Sequence, residues 1–331
     1  MVDITIIGAG VAGLCIAREL RDRGASVQLY DRGGAPGSHS CSWWAGGMLA
    51  PYCEAESAEP EVVNLGEGAA HWWQDKTGLV NSQGSLVVSQ DRDQGQLRQF
   101  ARRTSHFDHV DRAQIAELEP DLGDRFSAGL FFSSEAHICP RSALTALHQS
   151  LLNDGVEFTV AERDPTDSSK AGLTIDCRGY SARKELTNLR GVKGEMLMLS
   201  CPDVTLSRTV RLLHPRIPLY VVPRGDGIYM VGATMIESSA SEHVTARSLL
   251  EMLSAAYALN PAFGEAEVLE TGVDIRPAFT DNLPRIQRDG NLIRVNGFYR
   301  HGYLLAPAYA RKVGELLFGQ TDTEVPHEHS A

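Results

Sequence analysis

The sequence lacks several patterns that define common classes of protein. Its six cysteines form no C-x-x-C pair, which argues against a zinc site or a disulfide framework and favours a reducing compartment. No run of about 18 apolar residues occurs, so no membrane-spanning helix is expected. Neither an internal repeat nor a low-complexity tract is present. Basic residues are also scarce, since 31 Lys and Arg face 42 Asp and Glu, which disfavours nucleic acid and anionic membrane as partners.

The apolar start of the chain does not have the pattern of a secretory leader. No basic segment precedes it and glycines interrupt it, so the expected location is the cytoplasm. With 331 residues, 43% hydrophobic and 22% charged, the composition is typical of a soluble globular enzyme with two domains or one large one.

The first thirty residues have the pattern of a nucleotide-binding fold. The run Ile4 to Ile7 predicts a buried parallel strand, and the run from Cys15 to Arg23 predicts an amphipathic helix. Between them, GAGVAG matches G-x-G-x-x-G. A second predicted strand, Ser26 to Tyr30, ends at Asp31, where an acid can bind a ribose hydroxyl. These parts together predict dinucleotide binding, whereas the glycine motif alone would also suit a tight turn without a ligand.

Each glycine of the motif has its own physical reason. Gly8 permits the tight turn that leaves the strand, Gly10 lets the backbone approach a pyrophosphate, and Gly13 lets the helix pack on the sheet. The free N–H groups and the positive dipole end of the helix favour phosphate.

The rest of the chain predicts α/β ends around a β-rich middle. After a Gly-, Ser- and Pro-rich loop from Arg32 to Pro51, we expect one helix over Glu61 to Lys76. Further helices are predicted over 91–104, 112–119, 140–153, 246–258 and up to about 318, and strands over 84–89, 128–133, 156–160, 173–177, 191–200, 219–223, 228–231, 268–276 and 292–295. This order predicts a Rossmann-type domain, completed by distant segments, with an inserted antiparallel sheet. A nucleotide motif at the start and a closing strand and helix at the end favour FAD over a nicotinamide.

Six segments resemble one known family. In chain order they are IIGAGVAG, WAGGMLAP, LYVVPRGDG, YMVGATM, DIRPAFTDNLP and NGFYRHGYLLAP. Together they resemble the D-amino-acid oxidase superfamily of FAD amine oxidases, and within it the glycine oxidases of thiamine biosynthesis. The resemblance implies an α/β fold with a discontinuous FAD-binding domain (residues 1–80, 141–190 and 277–331) and an antiparallel substrate-binding domain (residues 81–140 and 191–276).

The resemblance also implies which residues would hold FAD. The pyrophosphate lies over the glycine motif, the ribose by the acid that ends the second strand, and the flavin between two loops. The implied residues are Gly8, Gly10, Val11, Ala12, Gly13, Asp31, Arg32, Cys41, Ser42, Gly46, Gly47, Met48, Gly179, Phe298, Tyr299, Arg300, His301, Gly302, Tyr303 and Leu304.

For the substrate, the resemblance implies that Arg276 clamps an amino-acid carboxylate and Tyr220 hydrogen-bonds to it, with Arg300 beside substrate and flavin. An Arg fork suits a carboxylate because it forms two parallel charge-assisted hydrogen bonds that Lys cannot copy. The implied pocket residues are Met48, Met235 and Tyr303. No general base is required if the amine arrives neutral, so no catalytic His or Glu is predicted, and no metal.

The expected reaction is oxidation of glycine, a small amino acid or an N-substituted glycine. A hydride would pass from Cα to flavin N5, the imine would hydrolyse to an oxo acid and ammonia, and O2 would be reduced to hydrogen peroxide. A homo-oligomer is expected from the resemblance alone.

Several residues have ordinary structural alternatives. Tyr220 also suits a core position with a wet hydroxyl, and Met48 and Met235 could simply fill gaps in a core. His301 is expected to act through backbone packing. Glu54 is expected to be a solvated acid, or to lie at the entrance of the pocket.

Two adjacent tryptophans, Trp43 and Trp44, depart from the small residues common in the family. They could narrow the pocket for glycine or shape a slot for a larger secondary amine. Three other functions remain open from the sequence: a dehydrogenase of the same fold with an acceptor other than O2, an NAD-dependent dehydrogenase without flavin, and a non-catalytic flavin-binding protein.

Overall fold

The chain folds into two large β-sheets and a small third sheet, surrounded by helices. A computed structural model describes residues 3–167, 172–214, 218–239 and 243–319. The strands are β1 Asp3–Ile7, β2 Ser26–Asp31, β3 Met48–Leu49, β4 Val80–Asn81, β5 Ser85–Ser89, β6 Asp108–Asp111, β7 Ala128–Phe132, β8 Ala136–Ile138, β9 Glu157–Val160, β10 Leu173–Asp176, β11 Arg190–Ser200, β12 Thr209–Leu213, β13 Leu219–Gly225, β14 Ile228–Gly232, β15 Ile236–Glu237, β16 Glu267–Ala278, β17 Arg285–Asp289 and β18 Leu292–Asn296. The helices are α1 Val11–Asp22, α2 Pro51–Glu54, α3 Pro60–Gly66, α4 Ala69–Thr77, α5 Gln94–Arg103, α6 Arg112–Leu118, α7 Pro140–Asn153, α8 Ala246–Leu259 and α9 Gly302–Phe318.

The first sheet is a Rossmann-type sheet with the order β17-β18-β10-β1-β2-β9. Its strands are parallel except β17, which runs antiparallel to β18. Apolar side chains of this sheet form one core with α1, α4, α7 and α9. This burial explains why the sequences of β1 and β10 are almost uninterrupted runs of apolar residues. The predicted fold class is confirmed.

The second sheet is mostly antiparallel, with the order β15-β11-β14-β13-β12-β5-β7-β6 and with β16 paired to β11. One pair within it, β5 with β12, is parallel. The predicted hairpin of β13 and β14 turns at Asp226 and Gly227, both with positive φ, as a two-residue hairpin loop requires. A third sheet of β3, β8 and β4 was not predicted.

Three expectations about elements need correction. The helix expected over Glu61 to Lys76 is two helices, α3 and α4, separated at Glu67 and Gly68. The loop expected from Arg32 to Pro51 contains a short 3-10 turn, Cys41–Trp44, and strand β3. Strands β4, β6, β8, β12, β15 and β17 were missed because they are short and lack a clear alternating pattern. The tail from Gln320 lies outside the described residues.

The topology determines where a ligand can bind. From β1 the first sheet continues to β2 on one side and to β10 and β18 on the other, so the strand order reverses at the carboxyl end of β1. In open α/β sheets, ligands bind in the crevice at such a switch point. Among the residues described, no helix is long and apolar enough to cross a membrane.

Candidate active site

A cavity of about 740 Å³ lies at this switch point and extends to the second sheet. At the first sheet, the cavity is lined by the segments that follow β1, β2, β9, β10 and β18. At the second sheet, it is lined by side chains of β11, β13 and β16. Every residue that the sequence predicted for cofactor or substrate lines this cavity, with the exception of Gly13. The fold therefore brings together residues that the sequence scatters over nearly three hundred positions.

The start of α1 has the geometry of a phosphate site. The Oγ of Ser42 accepts a hydrogen bond from the N–H of Val11 at 3.0 Å, and a helix leaves the N–H groups of its first turn without helical acceptors. A Cβ on Gly10 would lie 3.2 Å from that Oγ and so reduce the space over the turn. Gly13 lies elsewhere: a Cβ there would come within 1.8 Å of the Gly8 carbonyl oxygen, so Gly13 serves close packing of α1 on β1.

Asp31 supports the turn after β1 from the end of β2. Its Oδ2 accepts from the N–H of Ala9 and its Oδ1 from the N–H of Gly33, both at 2.8 Å. His39 Nε2 lies 3.3 Å from Oδ1. Each carboxylate oxygen has a second lone pair that can accept from a ribose hydroxyl.

The loop after the 3-10 turn lies tightly against its surroundings. Gly47 has φ 73°, and a Cβ there would lie 2.0 Å from the carbonyl oxygen of Ile138. The guanidinium of Arg224 donates to the Gly46 carbonyl at 2.7 Å. A Cβ on Gly46 would lie 3.0 Å from the ring of Tyr220. Gly46 therefore lets this loop approach the second sheet, and Gly47 lets it approach β8 of the third sheet.

Arg276 and Tyr220 face the cavity from two strands of the second sheet. The Nη1 of Arg276 donates to the carbonyl oxygen of Thr234 at 2.9 Å. The side chain of Arg276 lies over the backbone of Gly194, where a Cβ would meet the guanidinium carbon at 2.4 Å. Among the described residues, no carboxylate forms an ion pair with Arg276, so this fork is available to a ligand acid.

Arg300 lies in a polar cluster with Glu54. Its Nη2 is 2.7 Å from Glu54 Oε2 and donates to Ser57 Oγ at 2.7 Å, and its Nη1 contacts the sulfur of Met235 at 3.5 Å. Burial favours the neutral form of Glu54, but Arg300 and then His301 and Arg211 outweigh it and lower the pKa of Glu54 to about 2. Glu54 is therefore an anion at neutral pH.

Glu54 corrects the expectation of a solvated acid, because the residue is only 8% exposed. Arg211, which also lines the cavity, was missed altogether. No motif marks either residue. The signal for Arg211 was its place in the apolar run of β12, where a charged side chain needs an explanation.

His301 immediately precedes helix α9. Its carbonyl oxygen accepts from the N–H of Leu305 at 2.8 Å at the start of α9. The buried ring lies 3.4 Å from Glu54. Burial, opposed by Glu54 and reinforced by Arg300, lowers the pKa of His301 to about 4, so the ring is neutral at pH 7.

Aromatic residues form the remaining walls. The buried hydroxyl of Tyr303 donates to the carbonyl oxygens of Ser42, at 3.0 Å, and Pro140, at 3.3 Å. Trp44 lines the cavity, and its ring lies over Gly272, where a Cβ would come within 2.1 Å. Trp43 does not line the cavity; both indoles contact the guanidinium of Arg141.

These features fit FAD. The cavity is lined by the N-terminus of α1, which suits a pyrophosphate, and by Asp31 at the end of β2, which suits a ribose. The loop at Gly46 and Gly47 leaves space for a ring beside Tyr220. A model of the family described as FAD dependent oxidoreductase matches residues 3–316 of the chain.

The chain belongs to this family of FAD-dependent oxidoreductases. Over 315 residues, covering 95% of the chain and 96% of the relative, it is 50% identical to a protein of Rhizobium etli described as a putative thiamine biosynthesis oxidoreductase ThiO. It is 27% identical to a glycine oxidase of Pseudomonas aeruginosa, with 96% and 95% covered. The crystal structure of a glycine oxidase from Geobacillus kaustophilus superimposes with a TM-score of 0.80 at 21% identity, over 100% of both chains. The protein is thus an FAD-dependent oxidoreductase that is similar to glycine oxidases, which decides against the nicotinamide and non-catalytic alternatives.

Proposed function

We propose that this enzyme oxidises glycine, or a small or N-substituted relative of glycine, to its imine. The observation that carries the proposal is the pair of Arg276 and Tyr220, which face one cavity together with the glycine motif. The likeness to glycine oxidases supports the substrate class. The likeness to ThiO supports a role in thiamine biosynthesis, in which glycine imine would supply the thiazole.

The protein's own contribution is orientation and charge. Arg276 would hold the substrate carboxylate through two parallel charge-assisted hydrogen bonds, and Tyr220 would add a third. Fixing the carboxylate fixes the direction of the Cα–H bond, which converts binding energy into rate. Bound FAD would supply the two-electron acceptor for the hydride that leaves Cα.

Proton transfer would need no side chain. Glu54 is an anion bound to Arg300, and the pKa of His301 is lowered to about 4, so neither is poised near neutral pH as a general base. We therefore expect the substrate to react with its amine neutral. The imine would leave and hydrolyse to an oxo acid and ammonia, while O2 would accept the two electrons and two protons as hydrogen peroxide.

The proposal is tested by a substrate panel of glycine, sarcosine and D-alanine, with peroxide release and oxygen consumption measured together. Glycolate, which replaces the amine of glycine by a hydroxyl, is the matched control. We expect turnover with the amines and none with glycolate. Bleaching of the flavin by glycine without air, but no peroxide in air, would favour the alternative, a dehydrogenase with an acceptor other than O2. No bleaching by any amine would refute amino-acid oxidation.

A further inference from the structure

One row of residues crosses the second sheet beneath the cavity. Arg211 on β12 pairs with Tyr220 on β13, Tyr220 pairs with Gly232 on β14, and Gly232 pairs with Met196 on β11. Residues directly opposite each other project from the same face of a sheet. Because Tyr220 and Met196 line the cavity, Arg211 reaches it from the neighbouring strand.

The guanidinium of Arg211 has only long polar contacts among the described residues. Among the residues described, its polar contacts are the Cys53 carbonyl oxygen at 3.5 Å and Glu54 Oε1 at 3.7 Å. The guanidinium carbon lies 5.3 Å from the ring centre of Phe100. The side chain is only 12% exposed. Arg211 is a largely buried cation, and an arginine prefers a carboxylate that it binds through two hydrogen bonds. Among the described residues, Arg211 has no such partner.

Positive charge exceeds negative charge at this end of the cavity. Arg211, Arg276 and Arg300 face a single ion-pairing carboxylate among the described residues, that of Glu54. Two other carboxylates, those of Asp274 and Glu195, also line the cavity. The basic side chains that act on Asp274 are Arg32 and His39 at the cofactor end, and Glu195 is paired with Lys193.

A substrate with one carboxylate does not balance these charges. Glu54 compensates Arg300, to which it is closest, and the substrate α-carboxylate would compensate Arg276. The charge of Arg211 then remains, and an unpaired charge away from water is costly.

A second cavity lies next to the first at Arg211. This cavity, of about 300 Å³, shares Arg211, Arg300 and Met235 with the first. Three acids also line this second cavity, but Glu56 is paired with Arg103 and Asp281 with Arg285. Glu59 is exposed. An anionic group would therefore be favoured beside Arg211 and Arg300, where the two cavities meet.

We propose that this site selects amino acids that carry a second carboxylate. Arg276 holds the α-carboxylate, and Arg211, beside Arg300, holds the second. This inference rests on the proposed oxidation of an α-amino acid and narrows its substrate class. The second acid can stand on the amine substituent, as in iminodiacetate, or on Cα, as in D-aspartate.

Binding without turnover gives the first test. Diglycolate and methoxyacetate are matched ethers with two and one carboxylates and no amine to oxidise. Titration of the holoenzyme by calorimetry is expected to show diglycolate binding at least tenfold more tightly. Equal affinities in the wild-type protein would overturn the proposal, whatever any variant does.

Variants assign the effect to one side chain. Arg211→Met is expected to bring the ratio of the two affinities close to one, and Arg211→Lys to keep part of it. Arg98→Met, an exposed arginine on α5, is the matched control and should keep the full ratio. A full ratio in Arg211→Met would remove Arg211 from the site. FAD absorbance and the unfolding temperature show whether each variant is folded.

Kinetics distinguish the two forms of the substrate. Iminodiacetate is compared with sarcosine, and D-aspartate with D-alanine, by kcat/KM. We expect kcat/KM to be at least tenfold higher for one of the two dicarboxylates than for the monocarboxylate paired with it. A preference for iminodiacetate would place the second carboxylate on the amine substituent, and a preference for D-aspartate would place it on Cα. Oxidation of glycine without any such preference would refute this inference and leave the proposed function intact. Tight diglycolate binding with no oxidation of any amine would refute the proposed function and leave the second anion site intact.

Discussion

Arg276 shows how much of the proposed chemistry depends on one side chain. Its Nη1 is fixed by the Thr234 carbonyl and its guanidinium lies over Gly194, so the fork has a defined direction. Lys would keep the charge but lose the two parallel hydrogen bonds.

We expect Arg276→Lys to raise KM for the amino-acid substrate about ten- to hundredfold, which corresponds to losing one hydrogen bond to a charged group. FAD should stay bound, because the cofactor end of the cavity is unchanged. Steady-state kinetics and flavin absorbance check this, with the exposed Arg92→Lys as control. Unchanged kinetics in Arg276→Lys would place Arg276 outside the site.

Glu54 links the candidate site to stability. Burial would raise its pKa, but Arg300, His301 and Arg211 outweigh burial and lower the pKa from 4.5 to about 2 in the folded protein. An acid with a lowered pKa stabilises the fold above its unfolded pKa, and that contribution is lost as the pH falls through the folded value. A shift of this size corresponds to about 3 kcal/mol at neutral pH.

Glu54→Gln should therefore lower the free energy of unfolding by about 3 kcal/mol at pH 7, since it removes the carboxylate that compensates Arg300. The difference from wild type should shrink between about pH 5 and pH 2. Denaturant titrations across this range measure it, and the exposed Glu59→Gln serves as control. A difference that did not change with pH would show that ionisation of Glu54 is not its source.

At the scale of elements, the N-terminus of α1 carries the cofactor prediction. Gly10 has ordinary backbone angles, with φ −74°, so the requirement there is for space. A Val side chain would extend towards Ser42 and Ser40 and occupy the region predicted for the pyrophosphate.

Gly10→Val should yield folded protein without FAD, measured as the ratio of flavin to protein absorbance after purification. Gly95→Val, at an exposed glycine of α5 where a Cβ would meet only the end of the Arg98 side chain at 3.9 Å, makes the same change away from the cavity. Normal flavin content in Gly10→Val would mean that the phosphates lie elsewhere.

Elements with a strong local signal were predicted well. The bounds of α7 agree with the prediction, because Pro140 begins it and an apolar face continues to its end. The single helix expected over 61–76 is interrupted at Glu67 and Gly68. Gly66, the last residue of α3, lies against Leu304 of α9, where a Cβ would come within 2.8 Å. That contact depends on a partner far along the chain, so local periodicity could not reveal it.

At the scale of the whole molecule, the strands support the proposed division into two domains. Strands of the first sheet come from the segments assigned to FAD, and strands of the second from those assigned to the substrate, within a few residues. The small third sheet joins β3 and β4 from one set to β8 from the other. We propose that this sheet couples the two domains at the flavin loop.

Hydrogen exchange of the apoprotein and the holoenzyme tests the whole cofactor site at once. We expect FAD to slow exchange in segments 8–12, 40–48, 177–181 and 298–304, which line one cavity, because a ligand that binds only the folded state stabilises it. Helix α5 is the internal control. Protection confined to the glycine motif would leave the flavin loop and segment 298–304 without support as FAD contacts.

The sequence by itself determined the nucleotide-binding motif, the α/β class and the identity of Arg276 and Tyr220 as candidates. The motif and the class depend on local spacing, whereas the two candidates depend on the resemblance of their segments to a known family. Only the tertiary structure decided that Glu54 is buried against Arg300 and that Arg211 stands beside Tyr220. Burial and charge pairing are set by which distant strands become neighbours, and no short stretch of sequence contains that information.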